Sequence, residues 1–217
     1  MTTTSTIPGP AAPRLADTRQ QKENQVATPP VQAPSRTGVE AGRVLTRHTG
    51  PRIRITRSCG AGATRLAAFD AALVAAGLQD FNLLPLSSVV PLGATVEVVG
   101  PDKQLRGRHG DLLYCVYAAA YATIPGAEAW AGIAWGLRTD GSGAGLFVEH
   151  SGSTEAGVHA DLSATLGAMM GNRPEEYVEG GRLVSSATCT DTPVSALVVA
   201  SFQTAGWSAS APAGQAR

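Results

Sequence analysis

The chain has no excess of charge of either sign: seventeen Lys and Arg are matched by seventeen Asp and Glu, and only 16% of its 217 residues are charged. That balance leaves no basic footprint for nucleic acid and no cationic pattern for a membrane surface. Cysteine is scarce as well. Cys59, Cys115 and Cys189 are odd in number and widely spaced, which excludes a disulfide framework and a Cys-x-x-Cys metal site, and fits a reducing, cytoplasmic setting. No stretch approaches the roughly 18 unbroken apolar residues of a membrane-spanning helix. The start, Met1 to Pro8, lacks the basic and apolar blocks of a signal peptide. His48, His109, His150 and His159 have no ligand spacing, so no metal is expected. No internal repeat is evident.

What the chain does have is apolar patterning between two unpatterned ends. Residues 1–46 carry Pro8, Pro10, Pro13, Pro29, Pro30 and Pro34 among polar residues, and read as a disordered tail. Residues 208–217 read as a second, flexible tail, leaving a domain at 47–207. A helix is expected over 64–77, with Leu66, Phe69, Leu73 and Val74 as its apolar face and Asp70 among them. Strands are expected at 82–90, 94–99, 112–121, 128–137, 144–150, 182–189 and 194–202. A long helix capped by Ser153 presents Val158, Leu162, Leu166 and Met169, with Glu155 near its positive end. Trp130 and Trp135, five apart in one strand, fall on opposite faces. Strands apolar on both faces, with two helices, predict an α+β fold of stacked sheets covered by helical layers.

The chemistry centres on Ser87-Ser88, set in Asp80-Phe-Asn-Leu-Leu-Pro-Leu-Ser-Ser-Val-Val-Pro91. Such a dipeptide is common in strands and turns, and alone it says little. A serine hydroxyl can nevertheless attack the preceding peptide carbonyl where the backbone is strained and the oxyanion is stabilised, turning the amide into an ester. The surroundings add Leu66-Ala-Ala-Phe-Asp-Ala-Ala-Leu73, Ala76-Gly77, Asn82-Leu83, Ile124-Pro-Gly-Ala-Glu128 and Gly145-Leu-Phe-Val-Glu149-His-Ser-Gly152. Taken together over about residues 51–205, this pattern resembles the pyruvoyl-dependent arginine decarboxylases. The resemblance implies self-cleavage between Ser87 and Ser88 into 1–87 and 88–217. Ser88 then becomes a covalent pyruvoyl cofactor that replaces pyridoxal phosphate. It also implies Schiff-base decarboxylation of L-arginine to agmatine and carbon dioxide for polyamine biosynthesis. The family's fold is a four-layer αββα sandwich, assembled as homotrimers or a dimer of trimers with active sites between subunits.

Several side chains carry two readings each. Asp70, expected on an apolar helix face, needs a cation, and either an internal arginine such as Arg65 or Arg54 or a substrate guanidinium supplies one. The resemblance implies the guanidinium, with Leu73 lining its aliphatic stem. Glu149 ends an apolar strand and is either an exposed strand-end acid or a carboxyl at a pocket rim, where desolvation favours the neutral, proton-donating form. The resemblance implies the proton donor. Asn82 is either a turn asparagine or, as the resemblance implies, the amide that polarises the attacked carbonyl. Ser87 becomes a new carboxylate beside a cationic substrate.

Three features depart from the family pattern, the first being a tail before residue 47 that is longer than the core fold needs. Pro85 lies in the strand before the scissile pair, where only an edge or bulge suits it. The 100–110 loop is unusually basic, with Lys103, Arg106, Arg108 and His109. Two rival readings keep the fold: a pyruvoyl decarboxylase of another amino acid, and a non-catalytic scaffold or partner subunit.

Overall fold

Strands that are apolar on both faces are stable only between two covering layers. The computed structural model describes residues 50–207, so the tails expected at 1–46 and 208–217 lie outside the described residues. In chain order the strands and helices are β1 (Arg52–Ala61), α1 (Arg65–Ala76), β2 (Asn82–Pro85), β3 (Val89–Val90), β4 (Thr95–Val98), β5 (Leu112–Ala122), β6 (Glu128–Arg138), β7 (Gly145–Gly152), α2 (Glu155–Gly171), β8 (Tyr177–Thr188) and β9 (Val194–Ala205). A 3-10 turn at Pro101–Lys103 follows β4. One sheet has five strands in the order β2-β5-β9-β1-β4, and the other has four in the order β3-β7-β6-β8.

The layers follow from which side chains alternate onto which face. α1 covers the outer face of the five-stranded sheet, where Ala72, Leu73 and Ala76 meet Leu113, Cys115, Leu197 and Val199. The two inner faces share a core that includes Ile53, Ile55, Val116, Ile133, Phe147 and Val198. α2 covers the four-stranded sheet with Val158, Leu162 and Leu166, against Ala134, Leu146 and Val148. The result is the αββα sandwich that the strand patterning implied. Trp135 packs between the sheets and Trp130 on the α2 side, as their odd spacing required. Cys115 is a packing residue: burial pushes its thiol up to about 12, well out of nucleophilic range.

The structure corrects the sequence reading in four places. β1 had no sequence-based assignment, yet it lies inside the five-stranded sheet between β9 and β4. The single strand expected at 82–90 is two strands, β2 and β3, in different sheets. Thr154, rather than Ser153, caps α2, its hydroxyl accepting from the Gly157 amide. On α1 the expected face is largely reversed: Ala68, Ala72, Leu73 and Ala76 are buried, while Leu66 and Val74 are 76% and 55% exposed. The reason is distance. α1 sits so close to β1 that a Cβ on Gly60 would run into the backbone of Ala68 and Ala72, and only small side chains fit beneath the helix. Ser58 Oγ donates to the Ala72 carbonyl at 2.7 Å across the same contact. Gly60→Val therefore forces helix and strand apart and lowers stability by about 1–3 kcal/mol, measured as a shifted denaturant midpoint; an unchanged midpoint would show that the approach is not tight.

Candidate active site

Pro85 and Pro91 bracket the serine pair, and neither can donate to a sheet ladder. β2 ends at Pro85, on the edge of the five-stranded sheet, where the lost donor is tolerated. The chain then crosses to the other sheet. Leu86 N donates to Cys115 O at 2.8 Å on the near side, and Phe147 N donates to Ser88 O at 2.8 Å on the far side. β3 continues that second pairing, with Val89 opposite Leu146. The whole transfer between sheets is made by Leu86, Ser87 and Ser88.

That short crossing leaves a mark on the backbone. Ser88 has φ of 65°, and among the described residues it is the only non-glycine with positive φ. Left-handed geometry brings Cβ toward the following carbonyl and costs a residue with a side chain about 1–2 kcal/mol. The strain is held by buried anchors on the far side. Phe147 is fully buried and packs edge-on against Phe202 and Trp135, with ring centroids 5.8 and 6.4 Å away.

Alternation along β7 then brings Glu149 to the serine. Phe147 faces the inter-sheet core, and Glu149, two residues on, shares that face. Ser88 Oγ donates to the Glu149 carboxylate and lies 3.0 Å from each of its oxygens. Ser88 is 8% exposed, whereas Glu149 is exposed. A hollow of about 520 Å³, lined by Leu86, Pro91, Tyr114 and Phe202 among others, lies beside the crossing.

The remaining sequence candidates do not join this pair within one chain. Asn82 begins β2 and its side-chain amide donates to Gly110 O at 2.7 Å. Six extended residues separate it from Ser88, a span of up to about 20 Å. Asp70 is exposed on α1, beyond the outer face of the five-stranded sheet from the serine pair. Neither internal arginine pairs with it: Arg65 lies over the Tyr121 ring at 4.5 Å, and Arg54 faces Glu97 at 3.6 Å. Among the described residues Asp70 has no ion-pair partner. Leu73 turns inward at 8% exposure and packs beneath α1. Ser87 is exposed at the crossing. Phe147 is the functional residue that sequence reasoning missed; the two flanking prolines, which forbid one continuous strand, were the signal for the sheet change it anchors.

Among the described residues no His, Cys, Asp and Glu cluster of three or more is placed to hold a metal, and no helix is long and apolar enough to cross a membrane. The left-handed backbone gives a direct test. Ser88→Gly and Ser88→Ala both remove the hydroxyl, but the glycine variant should be the more stable by about 1 kcal/mol, because only alanine keeps the left-handed penalty. Equal stabilities in equilibrium unfolding would mean that the crossing is relaxed.

The profile of the family described as pyruvoyl-dependent arginine decarboxylase matches residues 52–205. A pyruvoyl-dependent arginine decarboxylase of Halobacterium salinarum is 42% identical over 115 residues, covering 53% of this chain and 69% of that protein. Another from Thermoplasma volcanium is 31% identical over 157 residues, covering 65% of this chain and 85% of its own length. Pyruvoyl-dependent arginine decarboxylase 2 of Archaeoglobus fulgidus is 36% identical over 88 residues, 40% of this chain and 55% of that protein. With a match that runs from β1 to the end of β9 and takes in the strained serine and its carboxylate partner, the chain belongs to the pyruvoyl-dependent arginine decarboxylase family.

Proposed function

We propose that the chain cuts itself between Ser87 and Ser88 and then decarboxylates L-arginine to agmatine and carbon dioxide in the cytoplasm. One observation carries the reading: the only left-handed non-glycine residue described is a serine whose hydroxyl is bonded to a carboxylate. Glu149 takes the Ser88 hydroxyl proton as Oγ attacks the Ser87 carbonyl carbon, and the peptide nitrogen leaves that carbon to give an ester. Loss of the Ser88 α-proton then breaks the Cβ–Oγ bond and releases Ser87 as a carboxylate. The dehydroalanine left at position 88 tautomerises to an imine, and water hydrolyses it to ammonia and the pyruvoyl ketone. Relief of the left-handed strain favours the forward direction.

The residues present fit that prosthetic group, since the serine that forms it already sits against the carboxyl group of Glu149. When formed, the ketone binds the substrate amine and accepts the electron pair freed as carbon dioxide departs. Glu149 is then placed to return a proton to the substrate carbon. The hollow beside Leu86, Pro91, Tyr114 and Phe202 suits the aliphatic stem.

Asp70 and Asn82 we assign to the site of a neighbouring copy in a homotrimer, alone or doubled. Each is exposed and too far from its own Ser88. Asp70 is flanked by exposed Leu66 and Val74, and the scissile pair by Val89 and Leu92, at 55% and 62% exposure, so both half-sites carry the apolar margin an interface buries. An unpaired carboxylate on one copy then meets the substrate guanidinium on another. The Ser87 carboxylate adds a second negative group near the cation, while Asn82 polarises the attacked carbonyl and positions the substrate.

Intact mass after expression should show fragments 1–87 and 88–217, the larger blocked at its N-terminus and modified by borohydride in the presence of arginine; a single uncut chain in an active preparation would refute self-processing. Although cut, the fragments should stay together in native gel filtration, because β1 pairs with β9 along eight positions. Sharing of the site is tested by co-expressing Asp70→Ala with Ser88→Ala. Each alone should be inactive on arginine, and the mixture should recover activity by pairing an intact Ser88 with an intact Asp70. No recovery in mixed oligomers would put both residues in one chain's site.

A further inference from the structure

The basic 100–106 segment lines a cleft at the β4 edge of the five-stranded sheet, whereas Ser88 lies at the β3–β7 edge of the other sheet. Arg52 and Arg54, on the outer face of β1, share one carboxylate oxygen of Glu97, at 3.8 and 3.6 Å. Neither distance is a hydrogen bond. With the 3-10 turn they form a cleft of about 530 Å³. Its charged lining is Arg52, Arg54, Lys103 and Arg106 against Glu97 and Asp102, an excess of two positive charges.

One donor in this lining has nothing to bond, and a second has only a loose ion pair. Gln104 is 4% exposed; its Oε1 accepts the Leu105 amide at 3.3 Å, and its Nε2 is buried without a partner. Arg54 Nε is also buried without a hydrogen-bond partner. A buried donor left unmatched costs about 1–3 kcal/mol, and native proteins leave few. An orphan amide and a loosely paired guanidinium in one cationic cleft ask for an acceptor carrying negative charge. We propose that this cleft binds the phosphoryl group of a small phosphorylated metabolite. Arg54 Nε and Gln104 Nε2 donate to its oxygens, and Lys103 and Arg106 reach in from the exposed loop. The charge matches: a phosphate monoester carries about −1.5 to −2 at neutral pH. The size points to an ester over the bare ion, since the volume lies in the range of about 300–1,000 Å³ typical of small-molecule sites.

Calorimetric titration of the purified full chain with ribose 5-phosphate, inorganic phosphate and ribose tests the assignment. Ribose 5-phosphate should bind saturably and ribose should give no heat. Lys103→Ala/Arg106→Ala, both at exposed positions, should weaken binding about tenfold or more, and Gln104→Met should do likewise through the lost donor. Ser88→Ala, blocked at the scissile pair, should bind as the wild type does. Tighter binding of the ester than of phosphate identifies a carried phosphoryl group, and equal binding identifies the free anion; either supports an oxyanion site. The proposal is overturned by the absence of saturable binding, by full affinity in the Lys103/Arg106 double variant, by heat that sodium chloride at equal ionic strength reproduces, or by loss of binding in Ser88→Ala.

Discussion

Three residues carry the chain from one sheet to the other, and the chemistry of the molecule depends on that short crossing. Leu86 is bonded to β5 on one side and Ser88 to β7 on the other. With both ends tied into ladders, the residue between Ser87 and Val89 takes up the change of direction, and it does so in the left-handed region. A glycine there would accept the geometry without cost. A serine stores it, with its hydroxyl turned into the carboxylate of Glu149. The strain, the serine hydroxyl and its carboxylate partner thus arise from one topological requirement.

The same topology lets the fold survive the cut proposed for it. β1, α1 and β2 precede Ser88, and β1 is held on one side by β9 and on the other by β4, both of which follow it. The crossing itself carries little of the core, since the residues that fill the space between the sheets come mainly from β1, β5, β6 and β9. Breaking one peptide bond therefore opens a loop without dividing a layer. The half-sites lie on different outer surfaces: Asp70 outside the five-stranded sheet, Ser88 at the edge of the four-stranded one. A sandwich cannot bring its own outer helix to its own inter-sheet mouth, and the proposed sharing of the site between copies starts from that separation.

Much of the layer architecture was legible because period-two burial is a local property. β5, β6 and β9 alternate between inter-sheet and helix-facing positions, and α2 repeats Val158, Leu162 and Leu166 along one face. α1 was misread for a physical reason. Its large residues, Leu66 and Val74, look like core, and its alanines look neutral. The close approach at Gly60 inverts that preference, because only alanines fit against β1. β1 itself was missed because its alternation is short: Ile53 and Ile55 between arginines are followed by the polar run Thr56, Arg57 and Ser58, and Gly60 and Ala61 close it.

For the site, the types and spacing of residues in the sequence determined which groups matter: a serine pair between two prolines, an acid ending an apolar strand, an acid on an alanine-rich helix. Those are covalent and local facts. Which of them meet was decided by the tertiary structure alone. Ser88 and Glu149 are 61 residues apart and reach 3.0 Å because the β3–β7 register sets them side by side. Asp70 and Asn82 are nearer in sequence and stay apart, because a β-sheet stands between the helix and the serine in one case and an extended strand separates the residues in the other.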